Sequence, residues 1–421
     1  MILLWACRYA GLRQPFGFAL VAVLGWGALQ PAFIQAETRI IPAVYAGGRY
    51  DSNIFMTLKS SLPPGTQFND YVATVGGGAQ LLDRSRDVDA SLYAGVDVNE
   101  YAINKGYSYY TARLDGYAIL DGWVERFARG ARLRVDERFQ YTPESPGFMT
   151  GVQGASSADP FQRGLGTSRA NTYSNVTSVD GSYPLLRELV LQGGYSYGLY
   201  KTAGRLVNVG PSVSFFNTTI NSWSLGPGYK LTQQDSISLL FSQRLIIQEQ
   251  STGGAPIYTN AQSLMANYER VMPTWKIGFG AGPTLIDPVN RAYTVGYFRF
   301  STNPDQSTTV VLDLSRLATP SFFLVAGALM SNVGRAEITH RLSDRLTLAG
   351  SVGYAYNQLI TTGSTATFKT LSANTGLTYM LTRTMSAEFF YRYTDFVNDS
   401  PAINYEVSRN QVGFALTARW E

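Results

Sequence analysis

The chain has 421 residues, 45% of them hydrophobic and 15% charged, with a formal net charge of +4, 41 Gly and 27 Tyr. Ordinary domains carry about a quarter charged residues, and disordered chains carry more charge with fewer aromatics, so the composition excludes disorder. One Cys and one His exclude an internal disulfide framework and leave little for a His-based zinc site or a His-relay hydrolase.

Arg8 and Arg13 precede an apolar run from Phe16 to Leu29, and Ile34-Gln35-Ala36 supplies a small-residue exit. This is the layout of a secretory signal peptide. The run is about 14 residues, short of the roughly 20 a spanning helix needs. The expected organisation is a signal peptide over 1–36 and one domain over 37–421. Without 1–36 the net charge falls to +2, since that segment holds two Arg and no acid, and Cys7 is lost with it. A near-neutral exported chain without cysteine does not fit nucleic-acid binding, which calls for a clustered basic stripe.

From Thr38 onward apolar and polar residues alternate with the period of a two-faced strand. In 236–249, Ile237, Leu239, Phe241, Leu245 and Ile247 share one face, opposite Ser236, Ser238, Ser242, Arg244 and Gln248. The segments 88–101 and 345–357 behave alike. Short polar turns recur at 83–87, 121–122, 185–188, 232–235, 272–274, 303–306, 343–345 and 382–384. Other, mostly longer breaks fall at 51–68, 104–106, 143–168, 202–217, 251–255, 287–290, 318–321, 361–365 and 397–402. Alternating short turns and longer loops define an all-β fold, a single transmembrane antiparallel β-barrel of about eighteen strands, with sixteen as the alternative count. Closure removes the open edges that would make such strands aggregate. The last outward face, Val412, Phe414, Leu416, Ala418 and Trp420, ends on an aromatic residue, and Tyr195, Tyr197, Trp223, Tyr229, Trp275, Tyr379 and Tyr391 are expected on lipid faces.

Function in such a barrel resides in the lumen. The strand expected over 124–141 places Arg126, Arg132, Arg134 and Arg138 on one face with Asp136. Side chains two apart on a strand are about 6.7 Å apart, so these form a column of positive charge. Arg113, Arg244, Arg299, Arg335, Arg341 and Arg392 join it from other strands, against Asp89, Asp97, Asp115, Glu269, Asp313, Glu337 and Glu388. Arg grips carboxylate and phosphate in two-point contacts, and rows of Arg favour anions. The competing reading is a structural network, in which Asp115 pairs with Arg113 or Arg126. Arg129 and Glu137 fall on the lipid face, which places them at a rim or implies a bulge. Tyr93, Tyr101, Tyr107, Tyr109, Tyr117, Tyr200, Tyr293 and Tyr297 on the lumen face offer rings on which sugars could stack; tyrosines there also simply fill space.

Enzyme chemistry finds no support. His340 has no Ser or paired acids placed beside it. Gly76-Gly77-Gly78 lacks the following Lys-Ser/Thr of a phosphate loop and reads as close strand packing. Asp51-Ser52-Asn53 lacks the spacing and distal Glu of a calcium loop. No cofactor or metal is expected.

The segment Arg49-Tyr50-Asp51-Ser52-Asn53-Ile54-Phe55 after the first strand resembles the opening of the "putative beta-barrel porin 2" group, an aromatic–Asp–x–Asn–hydrophobic run. The resemblance continues through the paired strands, including Tyr93 and Tyr101, over most of residues 37–421. It implies an outer-membrane exit port for exopolysaccharide or capsule, working with a separate periplasmic export protein. Outer-membrane lipid is expected around the barrel itself, and its mildly basic lumen would suit an acidic polysaccharide or small anions. A diffusion porin for small solutes and a non-conducting structural or adhesive barrel are the alternatives.

Overall fold

The computed structural model describes residues 37–62, 64–143, 170–205, 216–250, 254–320, 327–360, 366–400 and 403–420. The expected signal peptide lies outside them, as do most of the breaks at 143–168, 202–217, 251–255 and 361–365. Eighteen strands form one antiparallel sheet: β1 (Glu37–Asp51), β2 (Asp70–Arg84), β3 (Asp89–Tyr101), β4 (Tyr109–Ile119), β5 (Arg132–Thr142), β6 (Ala170–Pro184), β7 (Leu189–Arg205), β8 (Phe216–Lys230) and β9 (Asp235–Gln250) make the first half. The second half is β10 (Ile257–Val271), β11 (Trp275–Asp287), β12 (Arg291–Thr302), β13 (Thr308–Pro320), β14 (Ala328–Arg341), β15 (Leu346–Leu359), β16 (Thr367–Met380), β17 (Met385–Ser400) and β18 (Ile403–Arg419). Each strand pairs with its sequence neighbours, and β1 pairs with β18 from Ala43–Arg419 to Asp51–Gln411, so the sheet closes. Among the described residues no helix is long and apolar enough to cross a membrane; the strands do the crossing.

Closure leaves the sheet without an open edge strand, the condition for crossing a lipid core. Register then fixes two faces. Outward positions include Val44, Val75, Val96, Leu225, Phe279, Leu314, Val352 and Phe414, large apolar side chains left exposed in the isolated chain because lipid covers them. The short turns share one end with Glu37 and Arg419, the periplasmic end by the usual asymmetry of such barrels. Tyr183, Tyr229, Trp275 and Tyr379 ring that end. At the other end Tyr50 packs on Tyr71 at 5.3 Å, Tyr110 on Tyr141 at 4.9 Å and Tyr141 on Tyr173 at 4.7 Å, the second aromatic girdle. Tyr195, Tyr197, Trp223 and Tyr391 face outward as expected but lie within the band rather than at its rims.

The expected boundaries hold for most strands and fail in several places. The turn at 121–122 and the strand from Val124 are replaced by a helical turn, α1 (Asp121–Glu125), and a loop, with β5 starting at Arg132. Asp121 Oδ1 accepts the Leu133 N–H at 3.0 Å, and Gly130 turns the chain at φ +77°, a conformation that costs glycine little. Arg126 is therefore not a lumen strand residue; it pairs with Asp87 of the neighbouring turn. Arg129 sits in the same loop, at the rim. Tyr107 lies in a 3-10 turn (Lys105–Tyr107) rather than on a strand. Strands β13 and β17 run on to Pro320 and Ser400, into the breaks expected at 318–321 and 397–402, as β7 runs to Arg205 into the break at 202–217.

Candidate functional site: the barrel lumen

The inner wall divides into two zones. Near the short turns inward side chains remain hydrated: Arg134 is 45% exposed, Lys276 46% and Arg299 50%. Here the Arg column meets acids. Arg134 grips Asp136 in a two-point contact, Nη2–Oδ1 2.6 Å and Nε–Oδ2 2.7 Å, with its guanidinium 5.1 Å from the centre of the Tyr117 ring. Arg138 Nε donates to Asp115 Oδ1 at 3.2 Å, and among the described residues Asp115 forms no ion pair with Arg113 or Arg126. Arg299 pairs with Asp313 at 2.8 Å, Lys276 with Glu269 at 3.0 Å and Arg335 with Glu337. Arg132, first residue of β5, is exposed.

The lumen tyrosines are engaged. Arg113 lies 4.7 Å over the Tyr93 ring and donates to its hydroxyl at 3.1 Å. That ring also lies across Gly78, where a Cβ would stand 2.4 Å from the Ala94 carbonyl oxygen and 2.7 Å from the Tyr93 hydroxyl. The glycine triplet is thus the close-packing feature read from the sequence. Tyr101 is buried against Ile54, Phe55 and Val72. Tyr293 packs beside an apolar cluster, with the Arg291 guanidinium 5.6 Å from its ring centre.

Towards the extracellular end the lumen is dry. Tyr200, Ile220 and Ile246 of β7–β9 meet Leu329, Leu359, Phe368, Phe396 and Val407 of β14–β18, walls on opposite sides of the cylinder. Phe368 and Phe396 stack at 6.4 Å with 9° between planes. A second cluster joins Ala261, Ile286 and Val295 to Met330 and Ile360. Polar bridges cross the same gap: the Arg244 guanidinium donates to the Ala318 carbonyl at 2.8 Å, and the Gly327 N–H to Gln248 Oε1 at 2.7 Å. Arg244 is therefore a cross-lumen strut.

The segment after β1 completes this seal. Asp51 receives Arg409 Nε at 3.0 Å on each carboxylate oxygen and Gln411 Nε2 at 2.9 Å. Asn53 donates to the Thr57 and Ser408 carbonyls at 3.2 and 3.1 Å, accepts the Thr57 N–H at 3.3 Å, and its own N–H meets Asp51 Oδ1 at 3.1 Å. Ile54, Phe55 and Met56, fixed by this knot, are buried in the inner clusters. The aromatic–Asp–x–Asn–hydrophobic run is thus an anchor for an inward-folded stopper. Sequence reasoning selected this run for its pattern; Arg409, at an inward position 358 residues away, gave no local signal.

Part of the chain matches a described family. Residues 302–419, β13 to β18 with their connections, match the family described as "Putative beta-barrel porin 2". No curated protein matches the chain. Solved structures similar to it include OccAB3 of Acinetobacter baumannii, at 12% identity over 90% of this chain and 99% of that one, with a TM-score of 0.42. OccK2 of Pseudomonas aeruginosa, solved with glucuronate, gives 9% identity, 91% and 99% coverage and 0.44. A mutant of the ferric enterobactin receptor of the same organism gives 10%, 90%, 80% and 0.40. These likenesses concern the barrel alone. The protein is a porin-like β-barrel of the bacterial outer membrane.

Proposed function

We propose that the barrel is a gated diffusion channel for small polar solutes, biased towards anions and held closed at its extracellular end in this conformation. The observation that carries this reading is the contrast within one lumen: a hydrated, charge-lined vestibule open to the periplasmic side leads to a dry apolar seal. Rows of paired charges give a field along the wall without a deep trap, and conduction needs binding weak enough to release. Liposome swelling with small sugars and sugar acids tests the reading. Permeation should be slow for the native chain and rise when the stopper is released; no permeation in either state overturns it.

The exit-port reading for exopolysaccharide or capsule is the second. Its support is the resemblance at Arg49–Phe55, together with the inward tyrosines. Tyr93, between Arg113 and Gly78, and Tyr101, buried in an apolar cluster, do not offer free faces in this closed state, which favours the solute reading. Deleting the gene distinguishes the two. Unchanged surface polysaccharide with altered solute uptake supports the porin, and lost surface polymer supports the exit port with its acidic polymer and periplasmic export partner.

A further inference from the structure

Glu137 occupies the outward face of β5, with Leu133 and Val135 towards the short turns and Phe139 and Tyr141 towards the outer girdle. It lies neither at a rim nor on a bulge, since the β4–β5 and β5–β6 registers run unbroken through it. A carboxylate in the middle of the apolar band faces lipid, unless protein covers it. Asn175 Nδ2 donates to it at 2.6 Å and Thr177 Oγ1 at 2.5 Å, both from the outward face of β6. Asn175 Oδ1, shielded from solvent, has no hydrogen-bond partner among the described residues.

The polarity does not stop there. Tyr195 donates to Asn221 at 2.9 Å, Trp223 Nε1 to Gln243 at 3.1 Å, and Gln243 Nε2 to Asn260 at 3.0 Å. All lie on outward faces, making a polar seam from β5 to β10. Gly116, directly opposite Glu137 on β4, adds no side chain to cover it on that side. The outward faces of β1 to β3 show no such seam in their central stretches, where Val44, Ala46, Val75, Ala79, Ala94 and Val96 stand instead.

We infer that this flank is where copies of the chain associate into a closed ring in the membrane. The occupant is a second copy because the seam complements itself. Its β5 edge presents the acceptor carboxylate, and its β10 edge presents the Asn260 amide, whose oxygen is taken by Gln243, leaving its N–H groups as the donor side. Rotation about an axis parallel to the barrel brings the first edge of one copy against the second edge of the next, the head-to-tail contact that closes into a ring. The inference is independent of what passes through the lumen.

Cysteines placed beside the seam test it, Val135→Cys with Leu264→Cys in a Cys7→Ser background. Five strands separate the two positions in one chain, too far for an internal bridge. Oxidation of intact outer membranes should give a ladder of multimers ending at one closed size, while Val75→Cys with Val352→Cys, on flanks where Ala336 and Ala373 are the neighbours, should stay monomeric. Extracted in mild detergent, the native chain should show a multimer mass. Asn175→Leu, Gln243→Leu and Asn260→Leu combined should shift it to the monomer, with heat-modifiable gel mobility reporting an intact barrel. Monomer alone in both assays, a ladder equal to the control's, or adducts solely with another protein would overturn the inference. So would an unchanged multimer mass in a folded triple variant.

Discussion

Asp51 and Arg409 face each other inside the barrel wall, Arg409 Nε 3.0 Å from both carboxylate oxygens across 358 residues of sequence. Asp51 is fully buried and Arg409 nearly so. Removing one member of such a pair strands the other charge, at a cost of about 3–5 kcal/mol. Asp51→Asn should therefore free the 52–57 segment and convert a largely closed channel into a conducting one in planar bilayers. Adding Arg409→Gln should recover much of the closed state, because no buried charge is then left alone; equal conductance in the single and double variants would contradict the latch.

The stacked rings of Phe368 and Phe396 predict a second route to opening. Truncating a buried Phe to Ala costs about 3–5 kcal/mol, here taken from the seal rather than from the sheet. Phe368→Ala with Phe396→Ala should raise solute flux into liposomes while leaving the strand content by circular dichroism unchanged.

Selectivity should reside in β5. With the seal opened by Asp51→Asn, replacing Arg132, Arg134 and Arg138 by Gln leaves Asp115 and Asp136 unopposed. The reversal potential under a salt gradient should move towards cation preference, and more so at low salt, where screening is weakest. Gln at Arg126 should leave it unmoved, since that side chain pairs with Asp87 in the turns.

A pH effect is expected at the turn between β12 and β13. The Ser307 and Thr308 hydroxyls and the Ser307 N–H, hydrogen-bonded to Asp305, hold its carboxyl down at about 2. A folded value below the unfolded one means that the turn's contribution is present above the ordinary carboxylate range and is lost as pH falls through about 2. A carbon-detected titration of Asp305 should show it ionised at pH 3, and Asp305→Asn should abolish that titration.

Much of the barrel could be read from alternation alone, because a closed sheet between lipid and water imposes two-residue periodicity on every strand. The reading failed at 121–131, where Val124, Arg126 and Phe127 imitate a strand. There Leu120 accepts N–H groups from Trp123 and Val124 at 3.1 and 3.0 Å and winds a helical turn, a local hydrogen-bond preference that the pattern does not reveal. The site was legible in part. Inward charges were found, but pairing such as Arg138 with Asp115 depends on register between strands. The apolar seal was missed because Ile246, Phe368 and Phe396 occupy positions of the polar face and pack across the cylinder, a relationship no single strand displays. Glu137 was noticed as an anomaly, and only the unbroken register shows that the anomaly is real.

The pairing of β1 with β18 carries a temporal consequence. The first strand has no second neighbour until the last one is in place, so an incomplete barrel keeps an unzipped side. Arg409 belongs to that last strand. The anchor for the 52–57 segment therefore cannot exist before the cylinder is finished, and the passage is sealed by the same event that completes its wall.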